Sequence, residues 1–356
     1  MRESPPSTSS TVRKDEIAQR PDTINSAFTI ETVSLFAGCG GLDLGFTGGF
    51  YFKNEFFPKQ PFKLLHAYDN DPKCVETYTL NLGDHIIQAD LSALPVSDIP
   101  KADVLIGGFP CQDFSSCGPK KGLDSQRGQL YKVFVRYMEY HQPRVVIAEN
   151  VPNLGRMKNG AVLATILCDL ASCGPGYRFG VWPIYAPDYG VPQARSRLFL
   201  VGVRADLPGC PEPPAPNHLW QNRSIDWAIN DLENIEDDSI ANQSQYFRAS
   251  KAKKGNGQGD EVSRAGEPAY TVRANAKSRV QFHYRLPRRL TVRECARLQT
   301  FPDSFTFPYA ATTNIMQIGN AVPPILAFQV GESIAQYIKR LDAANNDIMV
   351  QMMSAD

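Results

Sequence analysis

The chain has 356 residues and a mass of 39.5 kDa, enough for two domains or one large domain with an insertion. Apolar residues make up 42%, and 37 Lys and Arg balance 37 Asp and Glu, so a sizeable core can form without disulfide or metal staples. No apolar stretch approaches the ~18–20 residues of a membrane helix, and MRESPPSTSS lacks the apolar region of a secretory signal; membrane and secreted classes are set aside and a cytoplasmic place is expected.

Residues 1–28 are rich in Ser, Thr and Pro and are read as a disordered tail. Order is expected from Phe28. Thr32–Phe36 is a short apolar run ending in glycines, the pattern of a buried strand. Lys63–Tyr68 reads as a second strand, Lys73–Leu82 as a helix, and HIIQAD as a third short run. Val104–Ile106 and Arg144–Ala148 follow as strands, with Leu130–Tyr140 and Ala161–Leu170 as helices and Leu198–Val203 as a last strand. This alternation predicts an α/β fold with a doubly wound, mostly parallel sheet.

The texture changes after Arg204, where five prolines fall between Pro208 and Pro216. Residues 205–245 carry eight acidic and one basic residue, and residues 246–291 carry eleven basic and three acidic. The zero total therefore conceals a swing from −7 to +8. The basic stretch also holds Tyr246, Phe247, Tyr270, Phe282 and Tyr284, which suits either a solvated surface or a polyanion-binding face. Beyond Pro323 and Pro324, Ile325–Leu341 predicts a closing amphipathic helix.

Four constellations carry chemistry. Phe36-Ala37-Gly38-Cys39-Gly40-Gly41 follows the first strand, where open α/β sheets bind nucleotides, but it is neither GxGxxG nor a P-loop. Asp69 and Asp90 end the next two strands and suit a ribose and an adenine amine; capping a turn is the alternative. Gly107-Gly108-Phe109-Pro110-Cys111-Gln112 sets a cysteine at the same sheet edge, either buried or nucleophilic. Glu149-Asn150-Val151 brings a carboxylate there, fit for proton transfer or an ion pair. In Gln193-Ala194-Arg195-Ser196-Arg197 an extended backbone would put both arginines on one face. The eight cysteines include no CxxC pair, so reduced thiols and no metal site are expected.

LFAGCGG, GGFPCQ, ENV, QARSRLFLVG, RRLTVRECARLQTFPD and QIGNAVPP occur in this order between Thr32 and Pro324. Together they resemble the DNA (cytosine-5)-methyltransferases of the bacterial restriction-modification type. The resemblance implies a Rossmann-like catalytic domain over residues 29–204 plus 308–345, and a smaller, mostly irregular or β target-recognition domain over 205–307. It implies S-adenosylmethionine as cofactor, with no metal. Phe36, Gly38, Cys39, Gly40, Gly41, Asp69, Asp90, Leu91, Pro110, Asn320 and Val322 would bind it. Cys111 would attack cytosine C6, Glu149 would hold N3, and Arg195, with Arg197 beside it, would bind O2. Asp69 and Asn70 depart from the Glu and large side chain that many members carry.

Double-stranded DNA is the implied partner, with a flipped-out target base. The segment Ser115–Arg127, with Lys120 and Lys121, would close over the DNA. Thr271 and Val272 resemble the family's short recognition element, beside Arg273, Lys277 and Arg279. A restriction endonuclease acting on the same site is the implied functional partner of a monomeric enzyme. Three rival readings are a binding-only homologue, an RNA-methylating relative, and a thiol hydrolase. The first should lack a catalytic motif, and the second should carry a CFT tripeptide, which is absent. The third needs a histidine partner, and none of the five histidines sits in a comparable motif.

Overall fold

The computed structural model describes residues 28–110, 129–246, 261–275 and 281–353. The expected disordered tail lies outside them. In chain order the first half contains β1 (Ile30–Leu35), α1 (Gly41–Thr47), the hairpin β2 (Phe50–Phe52) and β3 (Glu55–Phe57), β4 (Phe62–Asp69), α2 (Pro72–Leu82), β5 (Ile86–Gln88) and β6 (Val104–Gly107). There follow α3 (Lys132–His141), β7 (Val145–Asn150), α4 (Ala161–Ala171), β8 (Tyr177–Tyr185) and β9 (Ser196–Arg204). The last part contains α5 (Ile225–Ile229), β10 (Glu261–Val262), β11 (Gln281–Phe282), α6 (Val292–Leu298), α7 (Ala311–Asn320) and α8 (Pro324–Met353). No described helix is long and apolar enough to cross a membrane.

Seven strands form one sheet in the order β5-β4-β1-β6-β7-β9-β8. Pairing is parallel from β5 through β7 and antiparallel at β7–β9 and β9–β8. The chain winds outward from β1 to β5, then returns to lay β6 on the other side of β1. That reversal opens a crevice at the carboxyl ends of β1 and β6.

The strands alternate their side chains between two cores, as a sheet covered on both faces requires. Val104, Ile106, Val145 and Ile147 face α8 through Leu326, Val330, Ile334 and Ile338. Leu105, Val146 and Ala148 face α3 and α4 through Phe134, Met138, Ile166 and Leu170. A third core joins Leu44, Phe50 and Phe52 to Ile225, Ile229, Val292, Leu298 and Phe301. It runs across the domain division expected at 307/308.

Two elements end on local signals legible in the chain. Asp71 caps α2 by accepting from the Lys73 amide, with Pro72 at the first helical position. Thr291 and Glu294 form a reciprocal capping box at the start of α6. The strand β8 had no counterpart among the predicted elements. It contains Gly180 and Pro183, and it tolerates a proline because β9 pairs with it on one side only.

The helix α1 packs against the start of α8 without space for a side chain. A Cβ on Gly45 would lie 2.3 Å from the Ala327 Cβ and 2.5 Å from the Pro324 carbonyl oxygen. Gly45→Val should lower stability by about 3 kcal/mol or more, because the colliding atoms include fixed backbone. Gly38→Ala meets nothing within 4 Å and carries only the left-handed backbone cost of its φ of +57°, about 1–2 kcal/mol. Thermal melts of both variants check this; equal melting points would contradict the packing argument.

Candidate active site

The crevice is built from loops at the carboxyl ends of four strands. After β1 the chain turns at Phe36, whose φ of +57° is rare for an aromatic residue. The Phe36 ring stacks on Phe134 with centroids 6.4 Å apart. Asp69, at the end of β4, ties the loop down. Its Oδ2 accepts from the Gly38 amide at 2.8 Å and its Oδ1 from the Asp71 amide at 2.9 Å. Burial raises the Asp69 carboxyl, and those amides oppose the shift.

These loops enclose a cavity of ≈ 310 Å³. Phe36–Cys39, Gly41 and Leu42 line one side, and Asp69–Asp71 with Cys74 another. Gly107–Pro110 and Glu149 form the end nearest β6 and β7. Met316, Gln317 and Asn320–Val322 close the far wall. Asn150 fixes the β6 loop, since its Nδ2 donates to the Phe109 carbonyl at 3.2 Å. Glu149, only 9% exposed, faces Arg197, with Nε to Oε1 at 2.6 Å.

Of the expected cofactor residues, Phe36, Gly38, Cys39, Gly41, Asp69, Pro110, Asn320 and Val322 line this cavity, and Gly40 caps the helix beginning there. Asp90 and Leu91 do not line it. Asp90 is exposed and accepts from the Ser92 amide and hydroxyl, which hold its carboxyl below the usual range. Leu91 is buried in the core on the α3 side of the sheet. Cys39 and Cys74 both line the cavity, but burial pushes the Cys39 thiol up to about 12 and Cys74 higher still. Both stay protonated. Cys74 and Met316 come from α2 and α7 and carried no signal in the sequence; Gly107 and Phe109 could have been taken from the motif that holds Cys111.

The two arginines expected to share a face go to different partners. Arg195 is 1% exposed and donates to the carbonyls of Val272, Gly319 and Ala321 at 2.8–3.1 Å. It precedes β9, so the strand alternation that motivated the pairing does not reach it. Cys111, Ser115, Lys120, Lys121, Arg127, Lys277 and Arg279 lie outside the described residues. Thr271 donates its hydroxyl to the Ala194 carbonyl, and Val272 is 2% exposed. This element is thus an anchor in the interior. Arg273 pairs with Glu261, Arg285 with Glu233, and Arg288 with Glu294, so part of the basic stretch is neutralised within the fold. Among the described residues, no group of three or more His, Cys, Asp or Glu is placed to hold a metal.

The cavity fits an adenosyl-amino acid sulfonium by its donor set. Asp69 offers a carboxylate edge for vicinal hydroxyls, Phe36 an aromatic face, and the Gly loop close-approaching backbone.

Under the Gly loop, Asp43 is fully buried, accepting from the Ser34 hydroxyl at 2.7 Å and the Tyr78 hydroxyl at 2.8 Å. Burial pushes its carboxyl up to about 6. The unfolded chain then loses this proton before the native state does, so Asp43 costs stability as pH rises from about 4 to 6. Asp43→Asn should therefore gain on the parent protein by up to about 3 kcal/mol between pH 4 and pH 7. Urea titrations at both pH values measure the difference; a constant difference would contradict a buried, titrating Asp43.

Residues 30–243 and 216–336 match the family model for C-5 cytosine-specific DNA methylases. The chain is 32% identical to the type II methyltransferase M.NgoFVII of Neisseria gonorrhoeae, over 85% of each protein. It is also 32% identical to M.BsuRI of Bacillus subtilis, over 89% of this chain and 82% of that one. Among solved structures, the S. pombe Dnmt2 methyltransferase aligns with a TM-score of 0.63 at 18% identity, covering 88% of this chain and 99% of that one. That likeness establishes the shared fold.

Proposed function

Because the chain belongs to the C-5 cytosine-specific DNA methylases and is a DNA (cytosine-5)-methyltransferase, we propose that it uses S-adenosylmethionine and a covalent Cys111 intermediate within a restriction-modification system. The observation that supports this most directly is Glu149, paired with Arg197, on the wall of the same cavity that the Gly loop, Asp69 and Pro110 line.

Cytosine C5 is too poor a nucleophile to take a methyl group unaided. The Cys111 thiolate adds to C6 and pushes electron density toward C5 and N3. Glu149 holds N3 and the exocyclic amine and supplies the proton that N3 takes up. Arg197 orients Glu149 through its short ion pair, and from beside Glu149 it would take the contact with O2. This O2 contact was expected of Arg195, whose guanidinium instead serves three backbone carbonyls. S-adenosylmethionine supplies an electrophilic methyl. Once C5 carries it, loss of the C5 proton and release of the Cys111 sulfur restore the aromatic ring.

Asp69, held by the Gly38 amide, would bind the cofactor's ribose, and Phe36 would pack against the adenine. Residues 205–307 contribute the recognition of double-stranded DNA, whose target base must leave the stack to reach Glu149. Methylation at a short sequence protects host DNA from an endonuclease that cuts there.

Incubating an unmethylated plasmid with the enzyme and S-adenosylmethionine, then sequencing for 5-methylcytosine, tests the reading and yields the site. Absence of 5-methylcytosine overturns it. DNA carrying 5-fluorocytosine at that site should trap the enzyme covalently, since fluorine cannot leave as a cation. The adduct should withstand denaturing electrophoresis, need the cofactor, and vanish in Cys111→Ser; an adduct on another cysteine refutes the assignment. Glu149→Gln should slow turnover by about 10²–10⁴, because an amide cannot deliver the N3 proton. Arg197→Lys should slow it by about 10²–10³ through loss of the forked donor. Single-turnover rates measure both, and a rate within threefold of wild type would remove either residue from the chemistry.

A further inference from the structure

A buried polar junction stands beside the cavity without touching it. Gln193 and Arg195 are 0% and 1% exposed. Gln193 Oε1 accepts from the Val272 amide at 2.7 Å, and its Nε2 donates to the Leu298 carbonyl at 3.0 Å. Arg195 donates to the Val272 carbonyl at 3.1 Å, the Gly319 carbonyl at 2.9 Å and the Ala321 carbonyl at 2.8 Å. Gln299 donates its amide to the same Ala321 oxygen at 2.5 Å.

The junction joins two segments with different duties. Residues 271–274 belong to the proposed recognition region. In residues 316–322, Met316, Gln317 and Asn320–Val322 form the far wall of the cavity. The two backbones touch at Gly319, where a Cβ would lie 2.4 Å from the Ala274 nitrogen and the Arg273 carbonyl carbon. Gly319 also lies in the last turn of α7, where carbonyls carry the negative end of the helix dipole and favour a cation.

A buried guanidinium must keep its donors paired. The Arg195 Nη1 bond to Val272 and its Nη2 bonds to Gly319 and Ala321 hold together only while the recognition segment and the cavity wall keep one relative position. Shifting either segment would strand a buried donor or carbonyl, at about 1–3 kcal/mol each.

We propose that Gln193, Arg195 and Gln299 are positioning residues that lock the recognition segment 271–274 to the cofactor wall 316–322, so that occupancy of either site raises affinity at the other. This rests on the reading above that 205–307 meets DNA and that the cavity takes the cofactor. The coupling must be reciprocal: the product S-adenosylhomocysteine should tighten DNA binding by the same factor by which DNA tightens S-adenosylhomocysteine binding.

The experiment uses the full-length enzyme, S-adenosylhomocysteine and a linearised plasmid free of 5-methylcytosine. DNA affinity is measured by fluorescence anisotropy with and without S-adenosylhomocysteine, and S-adenosylhomocysteine affinity by calorimetry with and without DNA. Wild type should show a ratio of about tenfold in both directions. Arg195→Lys keeps the charge and loses the fork, and Gln299→Leu removes two bonds, the one Gln299 accepts from Gln193 Nε2 and the one it donates to the Ala321 carbonyl. In each, the ratio should fall below about twofold while S-adenosylhomocysteine binds the free enzyme as before. Gln299→Leu carries the test if Arg195→Lys does not fold. A wild type without coupling, a folded variant with the wild-type ratio, or equal weakening of both ligands at an unchanged ratio overturns the proposal. Methylation of the same plasmid by wild type is scored separately. Its absence defeats the functional reading, whereas a methylating enzyme whose variants keep full coupling defeats only the positioning role.

Discussion

At Gly41 and Gly45 nothing larger than hydrogen fits between α1 and the segment Ala321–Phe328. A Cβ on Gly41 would lie 2.5 Å from the Val322 carbonyl oxygen, and one on Gly45 2.7 Å from the Phe328 amide nitrogen. This close approach brings the end of the chain back against the first loop. The Cys39 thiol thereby reaches the Gln317 carbonyl at 3.7 Å, across 278 residues of sequence. The cavity has its far wall because of that contact. Its near wall needs only the β1 loop, and its end only the loops after β6 and β7.

Buried charge does the joining elsewhere. Arg195, Arg293 and Arg297 are each 3% exposed or less. Arg195 donates to backbone carbonyls of distant segments, Arg293 to the carbonyls of Ala241, Pro302 and Phe305, and Arg297 to Asp231 and Asp303. Burial pulls the Arg293 guanidinium down to about 10, which still leaves it charged at neutral pH. The same low polarity acts oppositely on thiols, raising Cys39 and Cys295 so that neither is a nucleophile. A reactive cysteine in this enzyme must therefore sit where cations or donors reach it.

Six of the seven sheet strands were legible, the central ones because strands buried on both faces read as unbroken apolar runs. β8 was not, since an edge strand can hold Gly180 and Pro183 and breaks that pattern. Two of the seven residues of α1 are glycines, and in the sequence it reads as a continuation of the Gly loop. Asp90 shows the limit of reasoning from strand order. It follows the third short run as expected, yet its turn directs it to Ser92, outside the cavity lining. The +8 stretch shows a limit of counting charge. Arg285 and Arg288 meet Glu233 and Glu294, which lie outside the stretch, and that pairing depends on contacts made only in the folded chain.

The sequence by itself determined the family, the mostly parallel sheet, and the loops at strand ends that line the cavity, because strand periodicity and loop position follow from neighbours along the chain. Tertiary structure alone decided which arginine faces Glu149. Arg195 and Arg197 are two residues apart, and in an extended chain they are equivalent. They differ because carbonyls from Val272, Gly319 and Ala321 converge on the first, while β7 presents a carboxylate to the second. A buried guanidinium goes where its donors can be satisfied, and those partners come from parts of the chain more than seventy residues away.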